Sequence, residues 1–198
     1  MNPLLQAIQE NKFNQLRLLL DLGYDPNVKD EDDGSMVLFV AAGEGHEEGV
    51  RLLLEYGAEV NGRDKKGQTA LFEAAIEGRE QVARLLLEHG AEVNARDEDG
   101  GTALFEASYW GRKDLARLLL EHDAEVNTRD KKGRTALIEA VYCGRSGNKG
   151  LDRLLLEYGA DLSLLPPPTR REFGRYKWQL KTSKILGIVT GIIQSKKP

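Results

Sequence analysis

Cysteine, histidine and long apolar runs are all scarce in this 198-residue chain, and each scarcity removes a class of function. One cysteine, Cys143, excludes an internal disulfide framework and accords with a reducing compartment. It has no evident histidine base beside it, so a small packed thiol is the expectation. The three histidines, His46, His89 and His122, have no cysteine or carboxylate at ligand spacing, and no zinc site is expected. No apolar run approaches the roughly 20 residues needed to span a bilayer. Met1-Asn2-Pro3-Leu4-Leu5 has neither a basic n-region nor a long apolar h-region, so no signal peptide is expected either. Phosphate loops, dinucleotide fingerprints and Ser/His/Asp motifs are missing. These absences predict a soluble, cytoplasmic, non-enzymatic protein that needs no cofactor.

Charge is present but unevenly spread. The net charge of -4 hides an acidic body and a basic tail: residues 1–168 sum to -11, residues 169–198 to +7.

What the chain has in abundance is repetition. Gly34, Gly67, Gly100 and Gly133 recur every 33 residues. Each begins a phrase that ends in a leucine triplet: Leu52-Leu53-Leu54, Leu85-Leu86-Leu87, Leu118-Leu119-Leu120 and Leu154-Leu155-Leu156. A fixed period of this size denotes stacked copies of one supersecondary unit. In the stretch Arg63 to Gly90, the polar tip Asp64-Lys65-Lys66-Gly67 reads as a hairpin-like turn with glycine where φ is positive. Thr69 is placed to cap a first helix, Ala70 to Glu77, whose inward residues are Leu71, Ala74 and Ala75. Gly78 ends it. A second helix, Glu80 to His89, carries Val82, Leu85 and Leu86 on one face, and Gly90 supplies the left-handed stop. Asn94 is suited to hydrogen-bond loop backbone. One unit cannot bury its apolar face alone; stacked units share a core.

The phrase Gly67, Thr69-Ala70-Leu71, Ala74, Gly78, Leu85-Leu86-Leu87, Gly90-Ala91, Val93-Asn94 resembles the ankyrin repeat. It recurs from Gly100 to Asn127 and begins again at Gly133. The resemblance implies an all-α solenoid of about five helix-turn-helix repeats over residues 1–163, with short hairpin loops. The boundaries are 1–28, a degenerate N-terminal capping repeat, then 29–61, 62–94, 95–127 and 128–163, followed by a tail at 164–198. Departures from the family pattern mark irregular places. Ala70, Ala103 and Ala136 stand where the family has proline, and Phe72, Phe105 and Ile138 where it has histidine. Asp123 replaces a helix-ending glycine, the first hairpin holds one extra residue, and Arg145 to Gly150 form an insertion.

The resemblance further implies binding of a protein partner, through the hairpin tips and a concave groove lined by the ends of the first helices. The groove positions are Gly43-Glu44, Ile76-Glu77, Tyr109-Trp110 and Tyr142-Cys143. Tyr109, Trp110 and Tyr142 are the expected anchors, because aromatic side chains bring large contact area for little entropy. Ile76, Glu77, Gln68 and Arg134 complete the expected surface, with Lys65, Lys66, Lys131 and Lys132 at the tips. Tip charges alternate in sign from Asp32-Asp33 through Lys65-Lys66 and Glu98-Asp99 to Lys131-Lys132. Neighbouring tips are thus expected to attract, and the stack lacks the continuous basic stripe of a nucleic-acid reader. Arg51/Glu55, Arg84/Glu88, Arg117/Glu121 and Arg153/Glu157 are expected ion pairs of a solvated outer face. Glu73, Glu106 and Glu139 recur at one first-helix register, where hydrogen bonding between repeats is the expected role.

Pro166-Pro167-Pro168 stops the array. The tail beyond, basic and aromatic and then apolar with a helical period, has three open readings. It caps the last repeat, lies on a membrane surface, or docks a partner. The function expected is a scaffold, adaptor or inhibitor, a monomer or one part of a hetero-complex. The alternative is a peripheral membrane adaptor anchored by the tail.

Overall fold

The computed structural model describes residues 2–30, 33–142 and 150–165. Ten α-helices follow one another there in five pairs. They are α1 (Pro3–Gln9) with α2 (Phe13–Asp21), α3 (Val37–Glu44) with α4 (Glu47–Glu55), and α5 (Ala70–Glu77) with α6 (Glu80–Glu88). Then come α7 (Ala103–Tyr109) with α8 (Lys113–Glu121), and α9 (Ala136–Tyr142) with α10 (Leu151–Glu157). A short 3-10 turn, Leu162–Leu164, follows α10. Among the described residues, extended pairing is limited to one bridge between Lys29 and Met36. The all-α repeat solenoid is therefore what the chain folds into. The insertion, Cys143 and the three readings of the tail lie outside the described residues.

Helices of seven to nine residues are too short to be stable alone, so packing must hold them. First helices pack on first helices along one layer, and second helices on second helices along the other. Alanines make the close approach possible: Ala41, Ala42, Ala74, Ala75 and Ala107 are completely buried. The first helices are more apolar than an amphipathic reading allows, since Ala70 and Phe72 are buried alongside Leu71, Ala74 and Ala75. The second helices keep one wet face. Val82, Ala83, Leu85 and Leu86 are buried on α6, whereas Arg84 and Glu88 are exposed.

Several local expectations need correction. Thr102 and Thr135 accept hydrogen bonds from Phe105 N–H and Ile138 N–H at 3.3 Å, but Thr69 makes no such side-chain cap. The second helix of the third repeat ends at Glu88, with His89 as its cap. On the outer face Arg153 pairs with Glu157 at 2.9 Å, yet Arg84 turns back to Glu80 at 3.3 Å. That choice sets glutamate before arginine, the better order against the helix dipole. Asp123 does take the left-handed conformation, φ 64°, and so does Asn11, φ 55°, at the register where later repeats have glycine. The extra residue of the first hairpin shows in its closing bond. Asp30 N–H reaches Ser35 O, five positions on, whereas Asp64 N–H reaches Gln68 O, four on.

Asparagine side chains link each repeat to the next. Asn61 donates to Gly90 O at 3.0 Å and accepts from Glu92 N–H at 2.8 Å. Asn27, Asn94 and Asn127 repeat the pattern one unit earlier or later. The loop backbone they satisfy is the neighbour's, so the bonds carry register along the stack.

Candidate functional site

The groove is built from the C-terminal ends of the first helices and the hairpins that precede them. Gly43, Ile76, Tyr109 and Tyr142 share one register, since each is the seventh residue from its helix start. Arginines in the turns between helices lock this register. Arg79 Nε donates to Gly43 O at 2.9 Å and Arg112 Nε to Ile76 O at 3.1 Å, each reaching back 36 residues. Each arginine lies across a glycine of the preceding repeat, Gly45 and Gly78 respectively. A Cβ on Gly78 would stand 2.8 Å from Arg112 Cδ, so this glycine is needed for the close approach as well as for its positive φ.

The hairpins are fixed by aspartates and arginines. Asp64 Oδ1 accepts from Lys66 N–H and Gln68 N–H, and Asp130 does the same for Lys132 and Arg134. Arg63 Nη1 spans Gly67 O in its own tip and Arg96 O in the next. Main chain also joins the tips: Lys65 N–H to Asp33 O, Glu98 N–H to Lys66 O and Lys131 N–H to Asp99 O, at 2.8 to 3.0 Å. The alternating tip charges thus add to a register the backbone already sets. Lys65, Lys66, Lys131 and Lys132 are all exposed there.

Along the groove the chemistry changes. Its N-terminal half is an open recess of about 510 Å³ lined by Asp33, Phe39, Glu44, Asp64, Glu73 and Arg79, with Gln68, half-buried, also on its wall. Glu73 sits above the ordinary carboxylate range, first because burial penalises its charge and then because Asp64, Glu77 and Asp33 repel it. Ile76 is half-buried beside this recess, and Glu77 lines it and is exposed.

The C-terminal half is aromatic. Tyr109 and Trp110 form an edge-to-face pair with centroids 5.2 Å apart, both half-buried. Trp110 is one residue beyond the end of α7, and its side chain hydrogen-bonds Glu106. Glu106 is raised above the ordinary carboxylate range chiefly by burial, in spite of that bond. Tyr142 closes α9 at the Tyr109 register and is half-buried.

Arg134, expected at the partner surface, is half-buried and tied to its neighbours. It pairs with Asp130 at 2.7 Å and with the fully buried Glu139 at 3.0 Å, and its guanidinium lies 5.0 Å from the Phe105 ring centroid. Burial alone would push Asp130 up, but N–H donors and the charge of Arg134 outweigh it and hold the carboxyl low. Glu139 is therefore an ion-pair partner buried under the groove rather than a rung of hydrogen bonds between repeats. Sequence reasoning passed over the linking arginines Arg79 and Arg112. Their 33-residue recurrence was a signal, masked by an exposed-looking charge in a turn.

Comparison with known proteins agrees with this geometry. A family model described as ankyrin repeats (3 copies) matches residues 4–97 and again 91–165. Protein HOS4 of Saccharomyces cerevisiae is 45% identical over 53 residues, which is 27% of this chain and 5% of that protein's length. The chain thus spans a small fraction of this relative. Ankyrin repeats are protein-interaction modules and are generally non-enzymatic scaffolds. With the family model covering nearly all the described residues, the chain belongs to the ankyrin repeat family.

Proposed function

We propose that this chain is a non-enzymatic scaffold, adaptor or inhibitor that grips a protein partner along the groove, with Tyr109, Trp110 and Tyr142 as its anchor. The observation that carries this reading is the Tyr109–Trp110 pair. Two large rings stand edge to face at the groove wall, half-buried rather than sunk in the core. Rings already held in place lose little freedom on binding, which is the property of a hot spot. The recess beside them carries Glu73, Glu77 and Asp64, and so favours a partner segment that brings arginine or lysine along with apolar side chains. The exposed lysines at the tips would meet acidic positions on the partner's rim.

Affinity capture from the native source tests the reading, with the wild-type chain and Trp110→Ala run in parallel. The truncation should cost about 2 kcal/mol or more of partner affinity while leaving the helical circular dichroism intact. A protein retained equally by both would remove the aromatic pair from the interface. A loss of thermal stability with affinity preserved would make Trp110 a packing residue.

A further inference from the structure

Resting on the groove as the partner-binding face, we propose that the recess beside Glu73 is a seat for one arginine side chain of the bound protein, held by Asp64, Glu73 and Phe39. The chain carries a filled copy of this seat. In the fifth repeat the Arg134 guanidinium meets Asp130 at 2.7 Å and Glu139 at 3.0 Å, and lies 5.0 Å from the Phe105 ring centroid. Two periods earlier the same registers hold Asp64, Glu73 and Phe39, and all three line the recess. At the register of Arg134 itself stands Gln68, which is neutral. The groups that grip a guanidinium are therefore assembled, and the guanidinium is left for another molecule to bring.

The recess lacks donors at the atoms where the filled copy has them. Asp130 Oδ1 takes the hairpin N–H groups, and its Oδ2 takes Arg134 Nε at 2.8 Å. Asp64 Oδ1 takes the equivalent hairpin N–H groups, and among the described residues its Oδ2 accepts no hydrogen bond. The glutamates of the first helices differ in the same way. Glu139 has Arg134, and Glu106 has the Trp110 side chain. Glu73 has Glu77 at the register of Trp110, which repels it, and no donor among the described residues. Exposure follows: Glu139, against its arginine, is fully buried, whereas Glu73 is half-buried and open to the recess. Lys66, exposed at the tip, leaves room for the newcomer, since Lys132 occupies that register beside Arg134 in the filled copy.

Arginine fits this seat better than lysine. A guanidinium is planar, so it can lie against the Phe39 ring while its edge offers N–H groups to Asp64 and Glu73. An ammonium is a single, strongly hydrated point and cannot do both. The recess of about 510 Å³ has room for the guanidinium and its stem. Burial raises the Glu73 carboxyl, with repulsion from Asp64, Glu77 and Asp33 adding to it, and an incoming cation relieves that repulsion.

Nα-acetylarginine amide, titrated into the isotope-labelled full chain and followed by NMR, is the test. It should bind with a dissociation constant on the order of millimolar, as its few heavy atoms permit, and shift chiefly the amides around Gly43, Gln68 and Glu73. Nα-acetyllysine amide should bind at least about threefold more weakly, and Nα-acetylcitrulline amide, which keeps the shape without the charge, at least about tenfold. Glu73→Gln should weaken the arginine probe at least about fivefold, whereas Glu88→Gln, on the exposed outer face, should not. Gln68→Arg should fill the seat from within and abolish binding, with the circular dichroism unchanged. The site is overturned by no binding, by shifts spread along the whole stack, by lysine binding as well as arginine, or by a Gln68→Arg chain that still takes the probe. Binding that appears only when Arg170, Arg171 and Arg175 are changed to glutamine would give the recess to this chain's own tail and overturns the partner assignment. The probe is a single residue and reports on the recess whatever holds at Tyr109 and Trp110. Its failure leaves the aromatic anchor standing, and partner capture that survives Trp110→Ala removes the anchor without touching this site.

Discussion

Glu106 shows how a single groove residue carries a cost. Burial raises its carboxyl first, Asp97 and Glu139 add repulsion, and Trp110 and Arg134 pull the other way. A carboxyl raised on folding binds more protons in the native state than in the unfolded one, so its ionisation works against the fold. That penalty is complete above the raised value and fades as pH falls toward the ordinary 4.5. Glu106→Gln keeps an acceptor for the indole and has no charge to desolvate. It should therefore raise the melting temperature at neutral pH, and the gain should vanish below the ordinary carboxylate value, where both forms are uncharged. Melts at neutral and acid pH decide it; a gain independent of pH would show that burial of the charge is not the cause. Asp130 is the opposite case. Its lowered carboxyl contributes stability above the ordinary 3.8 that is lost as pH falls through the folded value.

Helices and turns were largely legible, and the reason is physical. The alanine and leucine registers recur with the period because each repeat must bury the same face, so α5 runs from Ala70 to Glu77 as the pattern dictates. What the period hid was which side chains reach across it. Arg134 reads as a plain groove cation because its pairing with Asp130 and Glu139 depends on how its own repeat folds, and its place by the Phe105 ring depends on stacking. Tyr109 and Trp110 could be named from sequence, since their register is explicit, but their edge-to-face contact rests on side-chain rotamers that no register specifies. The turn glycines give an element-scale test of the arginine links. Gly90 has φ +85° with open space around it, so Gly90→Ala should cost only the left-handed strain, about 1–2 kcal/mol. Gly78→Ala carries the same strain and also pushes Arg112 off Ile76 O, which should add about 1 kcal/mol. Equal losses in urea denaturation would mean that Arg112 holds nothing.

At the scale of the stack, the main helix packing among the described residues runs within a repeat or between adjacent ones, so stability is close to a sum of repeat and junction terms rather than one indivisible core. Where a core leucine sits along the stack should then decide how its loss is felt. Leu86 and Leu16 are both fully buried, and each should cost about 2–5 kcal/mol when cut to alanine. Leu86 lies in the third repeat, with junctions on both sides, and Leu86→Ala should lower the main transition for every probe together. Leu16 lies in the first repeat, which has one junction, and Leu16→Ala should fray that end first. Trp110, in the fourth repeat, separates the two outcomes once Trp178 is changed to phenylalanine. For Leu16→Ala the circular dichroism should begin to fall in denaturant while Trp110 fluorescence stays native; for Leu86→Ala the two curves should coincide. Coincident curves for both variants would mean that the junctions are strong enough to make the five repeats unfold as one.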